Sequence, residues 1–282
     1  MNTTSDSSTT FEPKRHFLVI ASASRGARFF VKKAIQRGHR VTALCRARDD
    51  AAALERMEML LSNTRLTAGG LPQADVPGKL EARALNILEP QTYRDLLNNE
   101  PSIDSVCCFV GVVGVRRMMS QSERLYTRTI GALIEGMRAS RWVEFFYHGS
   151  SGLEGPPGQA KAELPANFQP KWILNLGLKI PAAQDCFESE SLLANAALSG
   201  MKFTVFRPAW LTTGPAKRHY GFCFDTTSME DGLFPLRDAK TTIGREDVAE
   251  EILRVATLPD DERARWFGRG VYLADKKSSL RD

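Results

Sequence analysis

The sequence lacks any apolar run of the roughly 18–20 residues that a membrane-spanning helix requires, so a helical membrane protein is excluded. Its first ten residues, MNTTSDSSTT, contain neither a basic start nor an apolar stretch, so they do not resemble a secretory signal. The five cysteines are scattered without a C-x-x-C spacing, which argues against a metal site and is typical of reduced thiols in a cytoplasmic protein. The 282 residues, 43% of them hydrophobic, have the composition of an ordinary globular protein.

Acidic residues are absent between Lys14 and Arg48, a segment that contains ten lysines and arginines. Because the whole chain has a formal net charge of only +5, the excess positive charge is confined to this segment. A local basic field attracts an anionic partner. The segment lacks the interleaved aromatics of nucleic-acid-binding surfaces, so we expect a small-molecule partner and neither a nucleic acid nor a membrane. For Lys32, Lys33 and Arg37 we expect a solvated helix face.

Apolar runs that predict buried strands alternate along the chain with helical stretches. The predicted strands are His16–Ala21, Arg40–Cys45, Leu80–Asn86, Ser105–Val113, Trp142–Tyr147 and Met201–Phe206. The predicted helices are 25–37, which Gly38 ends, 49–62, a stretch from about 125 to 137, a stretch within 171–198, and a late helix around 248–255. The alternation predicts an α/β fold, a Rossmann-type doubly wound parallel sheet with a small C-terminal substrate-binding portion. We expect residues 1–13 to form a flexible tail and 14–282 a single domain, with the substrate-side elements mainly in 150–282.

The first strand-to-helix turn is where a sheet of this type binds its ligand, and here it reads Ile20-Ala-Ser-Ala-Ser-Arg-Gly-Ala-Arg28. Together with the Gly38-His turn and the arginine after the second strand, it resembles the NmrA-like atypical short-chain dehydrogenase/reductases. Three later segments resemble the same family in the expected order. They are VEFFYHGSSG at 143–152, the Arg-Pro segment at 206–215 and TIGREDVA at 242–249.

The family's G-x-x-G-x-x-G turn is degenerate in this chain, because its glycine positions hold Ala21, Ser24 and Ala27. The T-G-x-x-x-G-x-G turn of ordinary short-chain reductases fits 23–26 but places Ser22 and Arg28 on glycines, and the distance to Gly38 favours the first alignment. A Cβ crowds the tight turn and the approach of the backbone to a pyrophosphate, and alanine and serine are the smallest replacements. Free amides at the helix start still attract phosphate. The alternative of a Rossmann-shaped domain that no longer binds a dinucleotide stays open.

The resemblance implies NADP(H) rather than NAD(H) as the cofactor. Arg46 stands after the second strand, where an NAD-preferring protein usually has an acid for the ribose 2′-hydroxyl, and an arginine there forks onto a 2′-phosphate. Arg25 and Arg48 add positive charge nearby. Asn86 occupies a position near the adenine in relatives, and Gly111 lets the chain pass close to the cofactor. The predicted cofactor-binding residues are Ala21, Ser24, Arg25, Gly26, Arg46, Asn86 and Gly111.

The chain has no well-placed Tyr-x-x-x-Lys pair, the acid of ordinary short-chain reductases, since the one numerical match lies at the extreme C-terminus. The predicted catalytic residues are His148, Ser150, Ser151, Asp185 and Glu190. Histidine suits proton transfer near neutral pH, and a buried carboxyl group acts as an acid or base once its pKa is raised. The alternatives are a structural histidine and a solvated helix face. Trp210 is predicted either to stack on a flat substrate or to pack in the core.

The resemblance therefore implies an NADP(H)-dependent oxidoreductase acting on a carbonyl, enone or quinone-like small molecule. Relatives in fungal secondary-metabolite pathways extend the expected substrates to polyketides. A non-redox isomerase or cyclase on the same fold, and a nucleotide-sensing regulator that binds protein partners, stay open as alternatives. The oligomeric state cannot be read from the sequence.

Overall fold

The computed structural model describes residues 14–68, 74, 76–111, 124–150, 181–224 and 242–276. The strands are β1 (His16–Ile20), β2 (Arg40–Leu44), β3 (Leu80–Arg83), β4 (Ser105–Cys108), β5 (Glu144–His148), β6 (Phe203–Pro208), β7 (Trp210–Thr212), β8 (Tyr220–Phe224), β9 (Thr242–Gly244) and β10 (Arg269–Asp275). The helices are α1 (Arg25–Gln36), α2 (Asp50–Ser62), α3 (Pro90–Asn99), α4 (Leu125–Arg138), α5 (Pro181–Ala197), α6 (Arg245–Thr257) and α7 (Asp260–Ala264).

Eight of the strands form one sheet in the order β3-β2-β1-β4-β5-β6-β10-β8, and β7 pairs with β9 separately. Every pairing in the large sheet is parallel except that of the edge strand β8 with β10. The strand order reverses between β1 and β4, so the crevice at the carboxyl ends of these two strands is the expected ligand site. The Rossmann-type α/β fold predicted from the sequence is confirmed.

Two hydrophobic cores cover the two faces of the sheet, and β1 contributes to both. Phe17 and Val19 point to the layer formed by α1, α2 and α6, whereas Leu18 and Ile20 point to the layer of α3, α4 and α5. All four side chains are fully buried. Burial on both faces explains why β1 is an unbroken apolar run instead of an alternating one.

Helix α1 begins and ends with recognisable signals. The Ser24 hydroxyl accepts a hydrogen bond from the amide of Ala27, 3.3 Å away, and so caps the start of the helix. At the other end Gly38 has a φ of +83°, which confirms it as the left-handed residue that stops the helix.

The expectation of a solvated face at Lys32, Lys33 and Arg37 is wrong. Lys33 is only 8% exposed and Arg37 only 9%, and Lys32 donates from Nζ to the carbonyl oxygens of Leu61 and Thr64 at the end of α2. The reason is tertiary, because α1 lies between α2 and α6. Helix α6 supplies the carboxylates of Glu246 and Glu250 to the Lys33 ammonium.

Several predicted elements differ from the observed ones in extent. Strands β3 and β4 end earlier than the apolar runs suggested, at Arg83 and Cys108, whereas β6 extends to Pro208. Helices α3 and α7 and strands β7 to β10 were not predicted from the sequence. The predicted tail at 1–13 lies outside the described residues. Within the described parts of the chain, no helix is both long and apolar enough to cross a bilayer.

Candidate functional site at the carboxyl edge of the sheet

The turn after β1 adopts the backbone conformation that the degenerate glycine motif requires. Ala21 has a φ of +56°, in the left-handed region that favours glycine, and its carbonyl accepts a hydrogen bond from the Ser24 amide at 2.9 Å. Ser22, the glycine position of the alternative alignment, is buried and donates from its hydroxyl to the Leu44 carbonyl at 2.8 Å, and its φ is not positive. The backbone therefore supports Ala21 as the first glycine position.

The start of α1 presents backbone donors to the crevice. The Ser24 hydroxyl accepts a hydrogen bond from the Ala27 amide, and the Ser24 carbonyl accepts one from the Arg28 amide. Within the described residues, the amides of Arg25 and Gly26 make no hydrogen bond. Two free amides at the positive end of a helix dipole are a favourable environment for an anion.

A second helix starts at the same edge of the sheet. Strand β10 is parallel to β6, so α6, which leads into it, must begin at the carboxyl ends of the strands. Its first residue is Arg245, whose charge interacts with that of Arg25 at the first position of α1. The starts of two helices that pack against each other are thus both marked by an arginine.

Three arginines, Arg25, Arg28 and Arg245, form a cationic cluster at this edge. Burial lowers the pKa of both Arg28 and Arg245, and the nearby charge of Arg25 lowers it further. The Arg28 Nε and the Arg245 Nη1 are shielded from solvent and have no hydrogen-bond partner within the described segments. Across the described residues, no carboxylate forms an ion pair with any of the three, so the cluster carries uncompensated positive charge.

The acids nearest to this cluster in sequence are engaged elsewhere. Glu246 accepts hydrogen bonds from the amide and hydroxyl of Thr67, at 3.0 and 2.8 Å, and its Oε1 lies 3.1 Å from the Lys33 Nζ. Asp247 accepts from the amides of Lys217 and Arg218, each at 3.0 Å. Neither carboxylate neutralises the cluster through a direct contact.

His148 ends β5 and faces the same crevice. Its ring packs on that of Phe109, with 5.6 Å between the ring centroids, and its Nε2 would lie 4.0 Å from a Cβ placed on Gly26. Burial lowers the pKa of His148 to about 4, and the charge of Arg245 contributes. The ring is therefore neutral at pH 7, and its Nε2 is shielded from solvent with no partner among the described residues. It offers a neutral nitrogen to a ligand at the start of α1.

Asp185 and Glu190 are buried in contacts that hold the scaffold. Asp185 accepts hydrogen bonds from the amides of Tyr126 and Thr127, at 2.8 and 2.9 Å, and so caps the start of α4 from α5. Glu190 pairs with Arg207, whose Nη2 lies 2.6 Å from its Oε2. The solvated helix face considered for these two residues is not observed, since they are 3% and 0% exposed. Their predicted acid–base role stays a prediction.

The other predicted residues lie around the same edge of the sheet. Arg46 is exposed just after β2, and its guanidinium has no partner within the described residues. The amide group of Asn86 is used locally: it donates to the Glu89 carboxylate at 2.6 Å and accepts from the Leu88 amide at 3.1 Å. Ser150 is exposed after β5, and Ser151 lies outside the described residues.

Tyr126 and Trp210 also lie at this edge. A Cβ on Gly111, which is exposed after β4, would lie 3.7 Å from the Tyr126 hydroxyl. Trp210 is 60% exposed directly after β6, so its alternative of core packing is not observed.

Sequence reasoning missed three residues of the site: Arg245, Phe109 and Tyr126. Arg245 is far from Arg25 in the chain, and only the placement of α6 beside α1 brings them together. Phe109 follows β4 within an apolar run, so nothing local distinguished it from the core. Tyr126 has isoleucine, not lysine, four residues later, so the Tyr-x-x-x-Lys pattern does not find it. The first turn of a helix at the carboxyl edge is nevertheless a position from which a side chain reaches a ligand.

Comparisons with known proteins agree with this fold. Compared by sequence, the chain matches no family model and no curated protein. Among solved structures, two of short-chain dehydrogenases/reductases from Veillonella parvula are similar. One, an ethylated form, shares 14% identity with a TM-score of 0.62, covering 95% of this chain and 100% of that one. The other, a complex with NADP, shares 14% identity with a TM-score of 0.60, covering 93% and 95%.

An oxidoreductase from Lactococcus lactis is similar over 94% of this chain and 93% of its own, with 13% identity and a TM-score of 0.54. At these identities the likeness shows the fold alone. That fold is the Rossmann-type α/β fold described above.

Proposed function

We propose that this protein is an NADP(H)-dependent oxidoreductase of the NmrA-like type that acts on a carbonyl, enone or quinone-like small molecule. The observation that carries the proposal is the anion-binding environment at the topological switch point. There the free amides of Arg25 and Gly26 lie at the start of α1 beside a cluster of arginines, and none of these arginines has a counter-ion among the described residues. A phosphate-bearing ligand accepts hydrogen bonds from the two amides and also balances the charge of the arginines.

The residues at the turn fit a dinucleotide despite the replaced glycines. Ala21 already has the left-handed conformation, and the space beside Gly26 is bounded by Phe109 and His148 at ordinary contact distances. Arg25 and Gly26 would hold the pyrophosphate through their amides, and Arg46 would hold a 2′-phosphate through its guanidinium. Arg46 is exposed after β2 and its guanidinium has no partner in the part of the chain that the structure describes, which supports NADP(H) over NAD(H).

When bound, the nicotinamide ring supplies or accepts the hydride, and the protein has to position the substrate and move one proton. His148 does not act as a cationic proton donor at pH 7, because its pKa of about 4 leaves the ring neutral. The Tyr126 hydroxyl beside Gly111 is a hydrogen-bond donor in reach of the end of β4. The exposed ring of Trp210 offers a stacking surface for a flat substrate.

A second candidate, a non-redox isomerase or cyclase, is favoured by one observation. The unprotonated Nε2 of His148 is shielded from solvent and has no partner among the residues that the structure describes, so it is suited to accept a proton from a substrate carbon or hydroxyl. This chemistry consumes no reducing equivalents. Stoichiometric turnover of NADPH with a substrate therefore separates the two candidates.

Calorimetric titration with NADPH, NADP⁺ and NADH at low salt tests the proposal, using Arg46→Ala and the control Arg138→Ala. Arg138 is exposed in the last turn of α4, and its replacement removes the same charge. We expect micromolar binding of NADPH, a loss of at least ten-fold in Arg46→Ala, and no change in NADH binding or in the control. Absence of binding by all three nucleotides contradicts the redox function.

A further inference from the structure

Arg245 is held at the crevice by the packing of α6 on α1. The residue that follows it, Glu246, is 1% exposed and is fixed by Lys33 of α1 and by Thr67, which lies beyond the end of α2. These contacts leave the helix start little freedom to move. The backbone of Arg245 is therefore fixed at the start of α6, and its charge lies near enough to that of Arg25 for the two to repel each other.

The fold keeps Arg245 near Arg25 although their charges repel each other, and a bound anion would relieve this repulsion. Arg245 Nη1 and Arg28 Nε are shielded from solvent, so water does not satisfy them, and within the described residues no acceptor does. Both arginines are only partly buried as whole side chains, but a shielded N–H left without an acceptor costs free energy that a bound anion recovers. Oxygens of a diphosphate have the geometry for forked hydrogen bonds with arginine.

We propose that Arg245, with Arg25 and Arg28, forms a clamp for a diphosphate group between the starts of α1 and α6. A helix outside the dinucleotide motif thus takes over part of the anion binding that the glycine-rich turn performs through its backbone. The inference rests on the proposed function only in identifying that diphosphate as part of a nicotinamide dinucleotide.

The clamp explains how the degenerate turn retains a binding function. The Ser24 hydroxyl takes the Ala27 amide, so only two backbone donors at the start of α1 remain for an anion. Guanidinium groups supply further donors and full positive charge. Binding through side-chain charges is screened by salt more strongly than binding through neutral amides, so affinity should fall steeply as the ionic strength rises.

Calorimetry with inorganic pyrophosphate and, separately, with NADPH tests the clamp in Arg245→Gln, Arg245→Lys and the control Arg138→Gln. Arg138 is exposed in the last turn of α4, at the opposite edge of the sheet, and its replacement changes the net charge equally. We expect Arg245→Gln to weaken pyrophosphate and NADPH binding ten- to hundred-fold. Arg245→Lys should recover part of the loss, and the control should bind as the wild type does.

Thermal unfolding without ligand detects any folding defect in the variant. Arg245→Gln removes a repulsion, so its unfolding temperature should be no lower than that of the wild type. Unchanged pyrophosphate affinity in Arg245→Gln, or no pyrophosphate binding by the wild type at millimolar concentration, overturns the clamp even if NADPH binds. Pyrophosphate binding that depends on Arg245, in a wild type that binds no dinucleotide, upholds the clamp and overturns the proposed function.

Discussion

Glu190 and Arg207 form a fully buried ion pair between α5 and β6. The Arg207 Nε and Nη2 lie 3.1 and 2.6 Å from the same carboxylate oxygen, and its Nη1 donates to the Tyr272 hydroxyl at 3.3 Å. The other carboxylate oxygen would lie 3.1 Å from a Cβ on Gly149, so the pair sits directly behind the loop that follows β5. The wall that carries His148 and Ser150 is therefore supported by two opposite buried charges.

Removing one partner of this pair should destabilise the protein strongly. Glu190→Ala leaves the Arg207 guanidinium buried without its counter-ion, and we expect a loss of about 3–5 kcal/mol in the free energy of unfolding. Urea denaturation at pH 7 measures it. The control is Glu188→Ala on the same helix, where an exposed pair with Arg124 should contribute less than about 1 kcal/mol. Equal stability of the two variants would contradict the supporting role.

Glycine should be better than alanine at position 21. An L-residue in the left-handed region costs roughly 1–2 kcal/mol, and glycine's greater freedom in the unfolded chain offsets part of the gain. We therefore expect Ala21→Gly, whose parent residue has a φ of +56°, to raise the free energy of unfolding by about 0.5–1 kcal/mol.

The matched control is Ala27→Gly, at the third glycine position of the motif. Ala27 lies in the first turn of α1, is fully buried and has ordinary helical geometry, so glycine should destabilise by about 1 kcal/mol. If both substitutions lower the stability, the strained conformation assigned to Ala21 is wrong.

The pattern of apolar residues was sufficient to predict the central sheet because its strands are buried on both faces. Strands such as His16–Ile20 and Arg40–Leu44 are largely apolar runs in the sequence, and their alternation with helices then determines the fold class. Helix α3 was missed although Tyr93, Leu96 and Leu97 have helical spacing and Pro90 stands at the first position. Its three apolar residues are surrounded by polar ones, which conceals a short amphipathic helix.

The candidate site was less predictable because its contacts join distant parts of the chain. The turn at Ala21 and the residue His148 follow from local motifs at the ends of strands. The proximity of Arg245 to Arg25 depends instead on the packing of α6 against α1. Burial of Lys33, likewise, is determined by carboxylates that a single helix does not reveal.

Two histidines should make the protein less stable as the pH falls below 6.5. Burial is the largest cause that lowers the pKa of both His16 and His148 to about 4, so the unfolded chain, with an ordinary value of 6.5, binds protons first. Their contribution to stability is complete above pH 6.5 and is lost between pH 6.5 and 4. Urea denaturation at pH 7 and pH 5 should show this loss, and His148→Gln should show a smaller one. The same loss in His148→Gln would mean that this ring is not kept neutral by the fold.

The ion pair between Lys33 and Glu246 should control stability in acid. Burial alone would raise the pKa of Glu246, but the hydrogen bonds from Thr67 and Lys33 outweigh it and hold the pKa below its ordinary value of 4.5. A carboxyl group with a lowered pKa stabilises the folded state above pH 4.5, and that stability is lost as the pH falls through the folded-state pKa.

In Lys33→Met the effect of burial is no longer balanced, so the Glu246 pKa should rise and the acid unfolding midpoint should move to higher pH. At pH 7 the variant should lose about 3 kcal/mol of stability, because a buried carboxylate is left without its cation. The control is Lys79→Met, since Lys79 is 71% exposed and its pair with Glu81 should contribute less than about 1 kcal/mol. Acid titrations of intrinsic tryptophan fluorescence compare the midpoints. If the midpoints coincide, the contact that joins α1 to α6 does not hold Glu246 ionised, and the support for Arg245 at the crevice has to come from Thr67 alone.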